Sequence, residues 1–518
     1  MVSAQGHERE RINAAGHTGH RNAGASAPGE RAARRRAKLH RMTVAGVPPL
    51  PASAQKVSMG TKLAFGFGSV AYGIKDNGFA VFLLIYFNQV IGMPAEQVGL
   101  AVALALVADA FFDPFVGHRS DATRSRWGRR HPWLYGAALP IALSWLLLWN
   151  PPEWSNGALF FYLIAVAMAV RFSFSAYEVP ALAMLPEMTR DYHERTEVLR
   201  YRFLFGWMGG LVMLYAAYAL LLVPEPGYDN GVLNPNGYHR YALVGSVVMI
   251  VSVVVSALGT HRLLAHPNTD GPAAHSHGLR DFVAALRFKP FQLLLAAGMC
   301  AFANQGLFFA LQNYLMLYVW EFEQSVFNIY PFVLFLGVAV AFFIVGPASR
   351  RLEKPRTAAI ASLLSLMFAT APYWLRLAGL FPATGGGTIT IVILSLIALS
   401  ITFGICAMMM ISSMIADVTD ASEAETGKRT EGIFFAGFFF MQKCIGGLGI
   451  LASALILAIA GFPDNAQPGQ VAPDVIDRLA LTFAIATTVI GLICAWLFTR
   501  FPLGRADHEA RLAQIAQS

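Results

Sequence analysis

Charge and cysteine are both scarce in this chain. Only 14% of its 518 residues are Asp, Glu, Lys or Arg, whereas 56% are hydrophobic, and a typical soluble domain carries about 25% charged residues. This composition excludes an ordinary soluble globular protein and indicates an integral membrane protein. The four cysteines lie within apolar runs and lack the paired spacing of metal sites or disulfide frameworks, so we expect them to be packing residues.

A nucleic-acid partner is not expected, although the formal net charge is +8. A protein that binds a polyanion needs its basic residues on one soluble face. Here they lie in short loops between apolar runs, a distribution that membrane topology explains.

Residues 1–58 form a polar arm rich in Arg, Ala, Gly and His, without the apolar core of a signal peptide. We expect a disordered, basic cytoplasmic arm. Three interpretations stay open: contact with anionic lipid head groups, a transit peptide, or a dispensable extension upstream of a start at Met42 or Met59.

Twelve apolar stretches of about 20 residues follow, each long enough to cross a hydrocarbon core as a helix. We expect these spans at Leu63 to Ile91, Val98 to Gly117, Trp133 to Trp149, Ala158 to Leu182, Phe203 to Val223, Tyr241 to Gly259, Phe291 to Val319, Phe327 to Pro347, Ala358 to Leu380, Ile389 to Ala416, Gly432 to Gly461 and Leu479 to Phe498. Loops after even-numbered spans are rich in Arg and Lys, and loops after odd-numbered spans carry mainly acids. Because positive charge collects on the cytoplasmic side, we expect both termini in the cytoplasm.

The longest basic loop divides the chain into two halves. Its Pro, Gly and His content indicates a linker. The predicted order is therefore a six-helix bundle over residues 59–260, a cytoplasmic linker over 261–290, a second six-helix bundle over 291–500 and a cytoplasmic tail over 501–518. This all-α membrane architecture is that of the major facilitator fold, in which the binding site lies between the bundles near the midplane.

Seven charged residues lie inside the otherwise apolar spans: Lys75, Asp76, Asp109, Asp113, Arg171, Glu178 and Lys443. A charge at the centre of a membrane helix costs roughly 2.5 to 3.5 kcal/mol on insertion scales, so such residues usually face a wet cavity or one another. The pattern predicts a transporter.

Asp109 and Asp113 are four residues apart, so they lie on neighbouring turns of the second span. Two such carboxylates repel when both are ionised, so either one keeps a proton or a cation lies between them. The spacing predicts a proton or cation site. A structural ion pair is the alternative for each residue.

The fourth and eleventh spans supply further charged candidates. Arg171, Ser175 and Glu178 share one face of the fourth span, where Glu178 either pairs with Arg171 or joins an acidic cluster with the second span. Lys443 lies near mid-membrane, and the glycines after it permit close helix approach. We expect its ammonium to face the carboxylates of the other half, either for coupling or as a structural counter-charge.

Polar side chains in the spans provide the capacity to bind a hydroxylated solute. Lys75 and Asp76 are adjacent and point about 100° apart, so one of them is expected to face the cavity. The other candidates are Tyr72, Asn77, Asn304, Gln305, Gln312, Asn313 and Gln442. Polar residues that hold membrane helices together are the alternative.

One run carries a specific signal: Asp109-Ala-Phe-Phe-Asp113-Pro114, then Gly117, Ser120-Asp121 and Thr123-Arg124-Ser125-Arg126-Trp127-Gly128-Arg129-Arg130. It is joined by Tyr177-Glu178-Val179-Pro180, by Ile415-Ala416-Asp417-Val418-Thr419-Asp420 and by Gln442-Lys443. From about residue 61 to residue 500, the chain resembles the melibiose permease family of glycoside-pentoside-hexuronide:cation symporters.

The resemblance implies roles for single residues. Asp109 and Asp113 stand where the family has its cation-binding carboxylates, and Lys443 matches its coupling lysine. Ser175 falls on a threonine that touches the cation. Glu178 and Arg202 match an acid and an arginine linked to sugar binding.

Two departures from the family pattern change these expectations. Gly73 stands where the family has its main sugar-binding aspartate, with Asp76 one turn away as a substitute. Phe112 replaces a cation-site asparagine. Because a sodium site needs several oxygen ligands and a proton site needs only a titrating carboxylate, proton coupling is favoured over sodium coupling.

Charged residues on the cytoplasmic side are expected to form a gate that latches the two halves when the site faces outward. Its members are Asp121, Arg129, Arg130, Asp417, Asp420 and Arg429. Topology and helix capping are the alternative for each of them.

The expected function is symport of a sugar or glycoside-like solute with H+ or Na+ by alternating access, in a monomer of a bacterial inner membrane without further cofactors. The missing helix-one aspartate favours a second function, transport of a non-sugar solute, lipid-like or otherwise organic, or sensing by a protein with the transporter fold. A third is an enzyme, because Asp109/Asp113 and Asp417/Asp420 loosely resemble the aspartate-rich motifs of magnesium-dependent intramembrane prenyltransferases. The depth of Asp109 and the number of spans argue against the enzyme.

Overall fold

The computed structural model describes residues 56–189, 191–264, 286–381, 387–426 and 431–502. Within these ranges the protein is helical without a β-strand, and twelve helices are long and apolar enough to cross a bilayer. Their bounds are α1 Met59–Val90, α2 Ala95–Ala122, α3 His131–Leu148, α4 Asn156–Met188, α5 Tyr192–Ala216, α6 Pro235–Leu264, α7 Lys289–Tyr314, α8 Gln324–Leu352, α9 Lys354–Leu377, α10 Gly387–Thr426, α11 Glu431–Ala460 and α12 Pro473–Thr499. The predicted all-α class and twelve spans are confirmed.

Several helices extend beyond their predicted ends. α2 ends at Ala122 and α4 at Met188, and α10 reaches Thr426. Asp417 and Asp420 therefore lie on α10 rather than in the loop after it. Continued helix keeps the backbone hydrogen-bonded where the chain leaves the apolar layer, so hydropathy alone marks these ends too early. Most of the predicted arm, linker and tail lies outside the described residues.

The helix boundaries have local causes. The Ser58 hydroxyl accepts a hydrogen bond from the Thr61 amide at the start of α1, and the Asp191 carboxylate accepts one from the Glu194 amide at the start of α5. Both are side-chain caps that satisfy an otherwise unpaired amide of the first turn. Helices α5 and α7 are each followed directly by one π-helical turn, at Ala217–Leu221 and Leu315–Val319.

The same five helix pairs pack in both halves of the chain. In the first bundle, α1–α6, helix α1 packs on α5 and α6, α2 on α4, and α3 on α4 and α6. In the second bundle, α7–α12, helix α7 packs on α11 and α12, α8 on α10, and α9 on α10 and α12. The two halves of the chain therefore share one pattern of helix packing. Between the bundles, α2 packs on α11, α1 on α7 and α5 on α8.

Glycines set the closest helix approaches at equivalent places in the two bundles. A Cβ atom on Gly73 of α1 would lie 2.0 Å from the carbonyl oxygen of Gly206 on α5. In the second bundle, a Cβ on Gly306 of α7 would lie 2.8 Å from the carbonyl oxygen of Gly446 on α11. Small residues allow membrane helices to pack this closely, so both α1–α5 and α7–α11 contacts require them.

Candidate functional site

Asp113 on α2 joins the two bundles. Lys443 of α11 donates from Nζ to Asp113 Oδ2 at 2.8 Å, and Ser175 of α4 donates from Oγ to Asp113 Oδ1 at 2.6 Å. The Asp113 and Lys443 side chains keep 27% and 32% of their surface exposed. The pair is therefore accessible to water-sized species, and it brings together three residues that the sequence selected.

Asp109, one turn before Asp113, has its own basic partner. The Arg171 guanidinium of α4 donates to Asp109 Oδ2, and both side chains are nearly buried. Arg171 also lies 5.2 Å from the centre of the Phe79 ring, a cation–π distance. In this conformation each α2 carboxylate is neutralised separately, and Arg171 pairs with Asp109 rather than with Glu178.

The polar residues of α1 divide between buried and exposed positions. Lys75 Nζ lies 4.3 Å above the Tyr72 ring and 3.7 Å from Asp76 Oδ1. The Lys75 side chain is 13% exposed, whereas that of Asp76 is 64% exposed. Asp76 is thus the most accessible of the charged residues within the first bundle's spans that the sequence selected.

The helix-one departure at Gly73 has a packing explanation. Its Cα faces Gly206 and Gly210 on α5, where the backbones leave no space for a side chain. An aspartate at residue 73 would collide with α5 instead of entering a cavity. Asp76 is one turn away and free of that contact.

The remaining predicted solute residues lie in different surroundings. Glu178 of α4 pairs with Arg202 of α5 at 2.5 Å; Arg202 is buried and Glu178 is nearly so. Asn304 donates to the Thr487 carbonyl oxygen at 3.4 Å, which directs it toward α12 within its own bundle. Gln442, next to Lys443, is exposed.

A set of uncharged side chains closes one end of the molecule and is called the acidic-end seal. The sequence did not reveal these residues as a unit. Loops after odd-numbered helices define this acidic end. Tyr314 donates to Asn88 Oδ1 at 2.8 Å, and Tyr318 donates to Gln89 Oε1 at 3.1 Å. The Ala466 amide also donates to Gln89 Oε1, at 2.8 Å. Each of these bonds links the first bundle to the second.

Asn313 extends this seal toward the middle of the molecule. It donates to the Val81 carbonyl oxygen at 2.9 Å and accepts from Tyr218 at 2.7 Å, and it is fully buried. Gln324 donates to the carbonyl oxygens of Tyr218 and Leu222. Asn313 was predicted as a solute residue, but here it holds the bundles together. The Tyr314–Tyr318 spacing and the Asn88-Gln89 pair were the available signals.

Asp464 adds one titratable group to the acidic-end seal. Its carboxylate accepts a hydrogen bond from Asn88 Nδ2 at 2.6 Å. Burial raises the pKa of Asp464, while the Asn88 hydrogen bond opposes that shift and the nearby Glu96 adds to it. The neutral acid is therefore better accommodated here than in water.

Ion pairs within single bundles hold the opposite, basic end, where the loops after even-numbered helices lie. Arg130 pairs with Asp121, and Arg129 pairs with Glu187 at 2.7 Å, both within the first bundle. Lys354 pairs with Asp417 at 2.6 Å within the second bundle. Asp121, Arg129, Arg130 and Asp417 are members of the predicted gate, but the pairs described here do not cross between bundles. Arg429 lies outside the described residues, and the latch stays a prediction.

Twelve apolar helices in two similar bundles, joined by a charged pair within the membrane-spanning region, define a multi-pass membrane transporter with the major facilitator fold. Residues 64–505 match the family described as MFS/sugar transport protein, and the chain belongs to that family. The resemblance predicted from the α2 motif is thereby confirmed. Because the family consists of transporters, the protein is not an enzyme, and the prenyltransferase hypothesis is wrong.

Individual relatives cover nearly the whole transporter. An uncharacterised symporter of Synechocystis sp. is 27% identical over 531 residues, which span 88% of this chain and 96% of the relative. A glucuronide carrier protein homologue of Escherichia coli is 23% identical over 469 residues, with 89% and 96% covered. The crystal structure of the nucleoside transporter NupG superposes with a TM-score of 0.58 at 12% identity, covering 86% of this chain and 99% of that one. This last likeness shows the fold alone.

Proposed function

We propose that the protein is a secondary active symporter that couples proton movement to transport of a sugar- or glycoside-like solute. The main support for this proposal is the Asp113–Lys443 ion pair, because it links the two bundles. The similarity to a symporter and to a glucuronide carrier homologue supports this class of function.

The pair gives protonation a mechanical consequence. A proton on Asp113 neutralises the carboxylate and removes the counter-charge of Lys443. A partly buried charge whose partner is removed is destabilised, so the Lys443 ammonium then needs other acceptors before the bundles separate. A bound solute supplies such acceptors. Proton and solute therefore favour each other's binding, as linkage requires.

The surroundings of Asp109 and Asp113 support a proton rather than sodium as the coupling ion. Arg171 and Lys443 already neutralise Asp109 and Asp113. Phe112, which takes the place of the family's asparagine, packs edge-on against Phe172 at 5.3 Å and offers no oxygen. A metal cation would have to displace two tethered cations, whereas a proton needs only a carboxylate oxygen.

Accessible polar groups of α1 and α11 are proposed to bind the solute. Asp76 and Gln442 are exposed, and Tyr72 and Lys75 lie beside Asp76. Carboxylate, amide and ammonium groups together match the alternating donors and acceptors of a polyhydroxylated ring. Glu178, Arg202 and Asn304 are proposed to hold the helices of this binding surface in place without being exposed on it themselves.

The distribution of basic residues among the loops supports an orientation of the protein in the membrane. We propose that the basic end is cytoplasmic by the positive-inside rule, in a bacterial inner membrane, with both termini inside. The acidic-end seal then closes the external side, so this conformation faces inward. Both bundles come from one chain, which supports a monomer as the transporting unit.

Transport in membrane vesicles tests the proposal. A panel of labelled glycosides and hexuronides is offered while a proton or a sodium gradient is imposed separately. We expect accumulation with the proton gradient alone, and loss of accumulation in Asp113→Asn but not in the control Asp474→Asn, an exposed acid on α12. Accumulation driven by sodium at clamped pH would overturn the choice of ion.

A non-sugar solute is the second candidate, and the packing at Gly73 is the observation that favours it. The family's main sugar-binding carboxylate has no space at this position. If Asp76 replaces it, Asp76→Asn abolishes counterflow of the sugar panel. If no member of the panel undergoes counterflow in the unmodified protein, the non-sugar alternative is preferred.

A further inference from the structure

A lateral groove lies outside the central region, between α2, α3 and α4 at the basic end. It consists of two adjoining cavities of about 310 and 460 Å³, and Trp133 lines both. The inner cavity is lined by Pro132, Trp133, Gly136, Ala137, Pro140, Phe172, Ser173 and Ala176. Most of these side chains are apolar or absent, so the inner cavity suits a hydrocarbon chain.

The inner cavity forms an apolar slot, which is open because α3 presents little side-chain volume along it. A Cβ atom on Gly136 would meet no atom within 4 Å. Pro140 and Leu143 lie one and two turns further on the same helix face, and Leu143 is half exposed. This face is apolar and uncovered by the described chain, which is the condition of a surface that meets lipid acyl chains.

The outer cavity has a different chemistry because Arg119 lines it, with Phe115, Ala122 and Thr123. The Arg119 guanidinium lies 5.8 Å from the centre of the Phe115 ring. In the part of the chain that the structure describes, no carboxylate forms an ion pair with Arg119, in contrast to Arg129 and Arg130, which pair with Glu187. The mouth of an apolar slot thus carries an uncompensated positive charge.

Trp133 fixes the wall between the two cavities. Its Nε1 donates to Thr123 Oγ1 at 2.8 Å, and Thr123 Oγ1 donates to the Arg119 carbonyl oxygen at 2.8 Å. Tryptophan is enriched at the level of lipid head groups. The charged mouth and the apolar slot are therefore held in a fixed relation at the depth where a phosphate and an acyl chain meet.

We propose that this groove binds one anionic phospholipid, with an acyl chain along Gly136 and Pro140 and the phosphate at Arg119. Charge complementarity selects this occupant. A neutral lipid would leave Arg119 without a counter-charge, and a free anion would leave the apolar slot without a ligand. The site is separate from the Asp113–Lys443 pair and does not depend on the proposed symport.

Lipid retention by the purified full-length protein tests the proposal. Native mass spectrometry is used to compare phosphatidylglycerol with phosphatidylcholine of the same acyl chains, and inorganic phosphate is added as a competitor. We expect a preference for phosphatidylglycerol that falls about fivefold in Arg119→Ala, since one basic residue near a membrane surface contributes about that much. Arg119→Lys is expected to keep the preference, and phosphate is not expected to displace the lipid.

Filling the slot gives an independent test. Gly136→Leu is expected to reduce retention of both lipids, and Gly136→Met serves the same purpose if the first variant is poorly folded. The matched controls are Gly157→Leu, an exposed helix position with equally open surroundings, and Arg350→Ala on α8. Both controls are expected to retain lipid like the unmodified protein.

Three outcomes overturn the lipid site, two with variants and one with added phosphate. One is an unchanged lipid preference in Arg119→Ala. Another is unchanged retention in a folded Gly136 variant. Displacement by inorganic phosphate alone also contradicts it, because the ligand would then be a free anion. None of these results bears on proton coupling, so failure here is distinguishable from failure of the proposed function.

Discussion

The two ends of the transporter are held in opposite ways. At the acidic end, hydrogen bonds between largely neutral side chains, centred on Asn313, Tyr314 and Tyr318, join the two bundles. At the basic end, the described ion pairs, such as Arg129–Glu187 and Lys354–Asp417, stay within one bundle. The single described ion pair that crosses between bundles, Asp113–Lys443, lies between these two ends.

This difference indicates where control resides. Buried neutral hydrogen bonds do not titrate, so most of the seal is insensitive to ions and pH. A charge pair in the middle responds directly to a proton. The described ion pairs at the basic end tie together helices of the same bundle. In the proposed mechanism, the seal sets which conformation is more stable, and protonation of the central pair sets when the conformation changes.

The largest expected effect comes from removing the cation of the central pair. Lys443→Ala leaves Asp113 beside Ser175 without a counter-charge, and breaking a buried pair in this way costs about 3–5 kcal/mol at full burial. Because this pair is partly exposed, we expect a fall in concentrative uptake of about tenfold to a hundredfold. Uptake in vesicles measures it. Normal accumulation by this variant would mean that the pair is only structural.

A variant in the acidic-end seal tests the role of its uncharged hydrogen bonds. Asn313→Leu leaves the Val81 carbonyl and the Tyr218 hydroxyl without their partners, and each unsatisfied buried group costs about 1–3 kcal/mol. We expect the equilibrium to shift toward conformations open at the acidic end. Thiol labelling of a cysteine introduced at Leu84, a buried residue whose hydrogen bond with Tyr314 is made by its backbone carbonyl, reports that opening. Asn150→Leu, an exposed residue at the same end, is the control and should leave labelling unchanged.

The basic end should tolerate a comparable substitution. Lys354 and Asp417 form a partly exposed pair within the second bundle, and such pairs contribute about 0–1 kcal/mol. Lys354→Ala is therefore expected to lower thermal stability only slightly and to leave cysteine labelling at the acidic end unchanged. A shift in labelling as large as that of Asn313→Leu would remove the distinction between the ends.

The smallest effect concerns pH at the seal. Because the pKa of Asp464 is raised in the sealed conformation, its ionised form destabilises the seal above the ordinary aspartate range near pH 4. That cost disappears as the pH falls through the raised pKa, so labelling should decrease on acidification. Asp464→Asn should keep labelling at the low-pH level throughout. A variant that retains the same pH dependence would assign it to another group.

Much of this architecture follows from the sequence. Twelve apolar lengths, alternating loop charge and the Asp109–Asp113 motif were sufficient to predict the fold, and the positions of Ser175 and Lys443 agree with their contacts on Asp113. These predictions succeed because a charge within a membrane span needs a partner, and few partners exist in the chain.

Other features required the three-dimensional arrangement. Arg171 had two acids within reach, and only the rotation of α4 against α2 selects Asp109. The seal was missed because Asn, Gln and Tyr are ordinary contacts between membrane helices, and nothing in one sequence tells which of them meet. From the sequence, the absence of a carboxylate at Gly73 suggests a lost function. In the structure, the close approach of α1 to α5 at Gly73 explains that absence.

Asp113→Asn provides the most direct test of the central claim, that a proton on Asp113 releases Lys443 and so couples the two bundles. Concentrative uptake and solute exchange are measured in the same vesicles under an imposed proton gradient. We expect exchange to persist while accumulation is lost, because the asparagine mimics the protonated state and no longer titrates. Undiminished accumulation by this variant would contradict the claim.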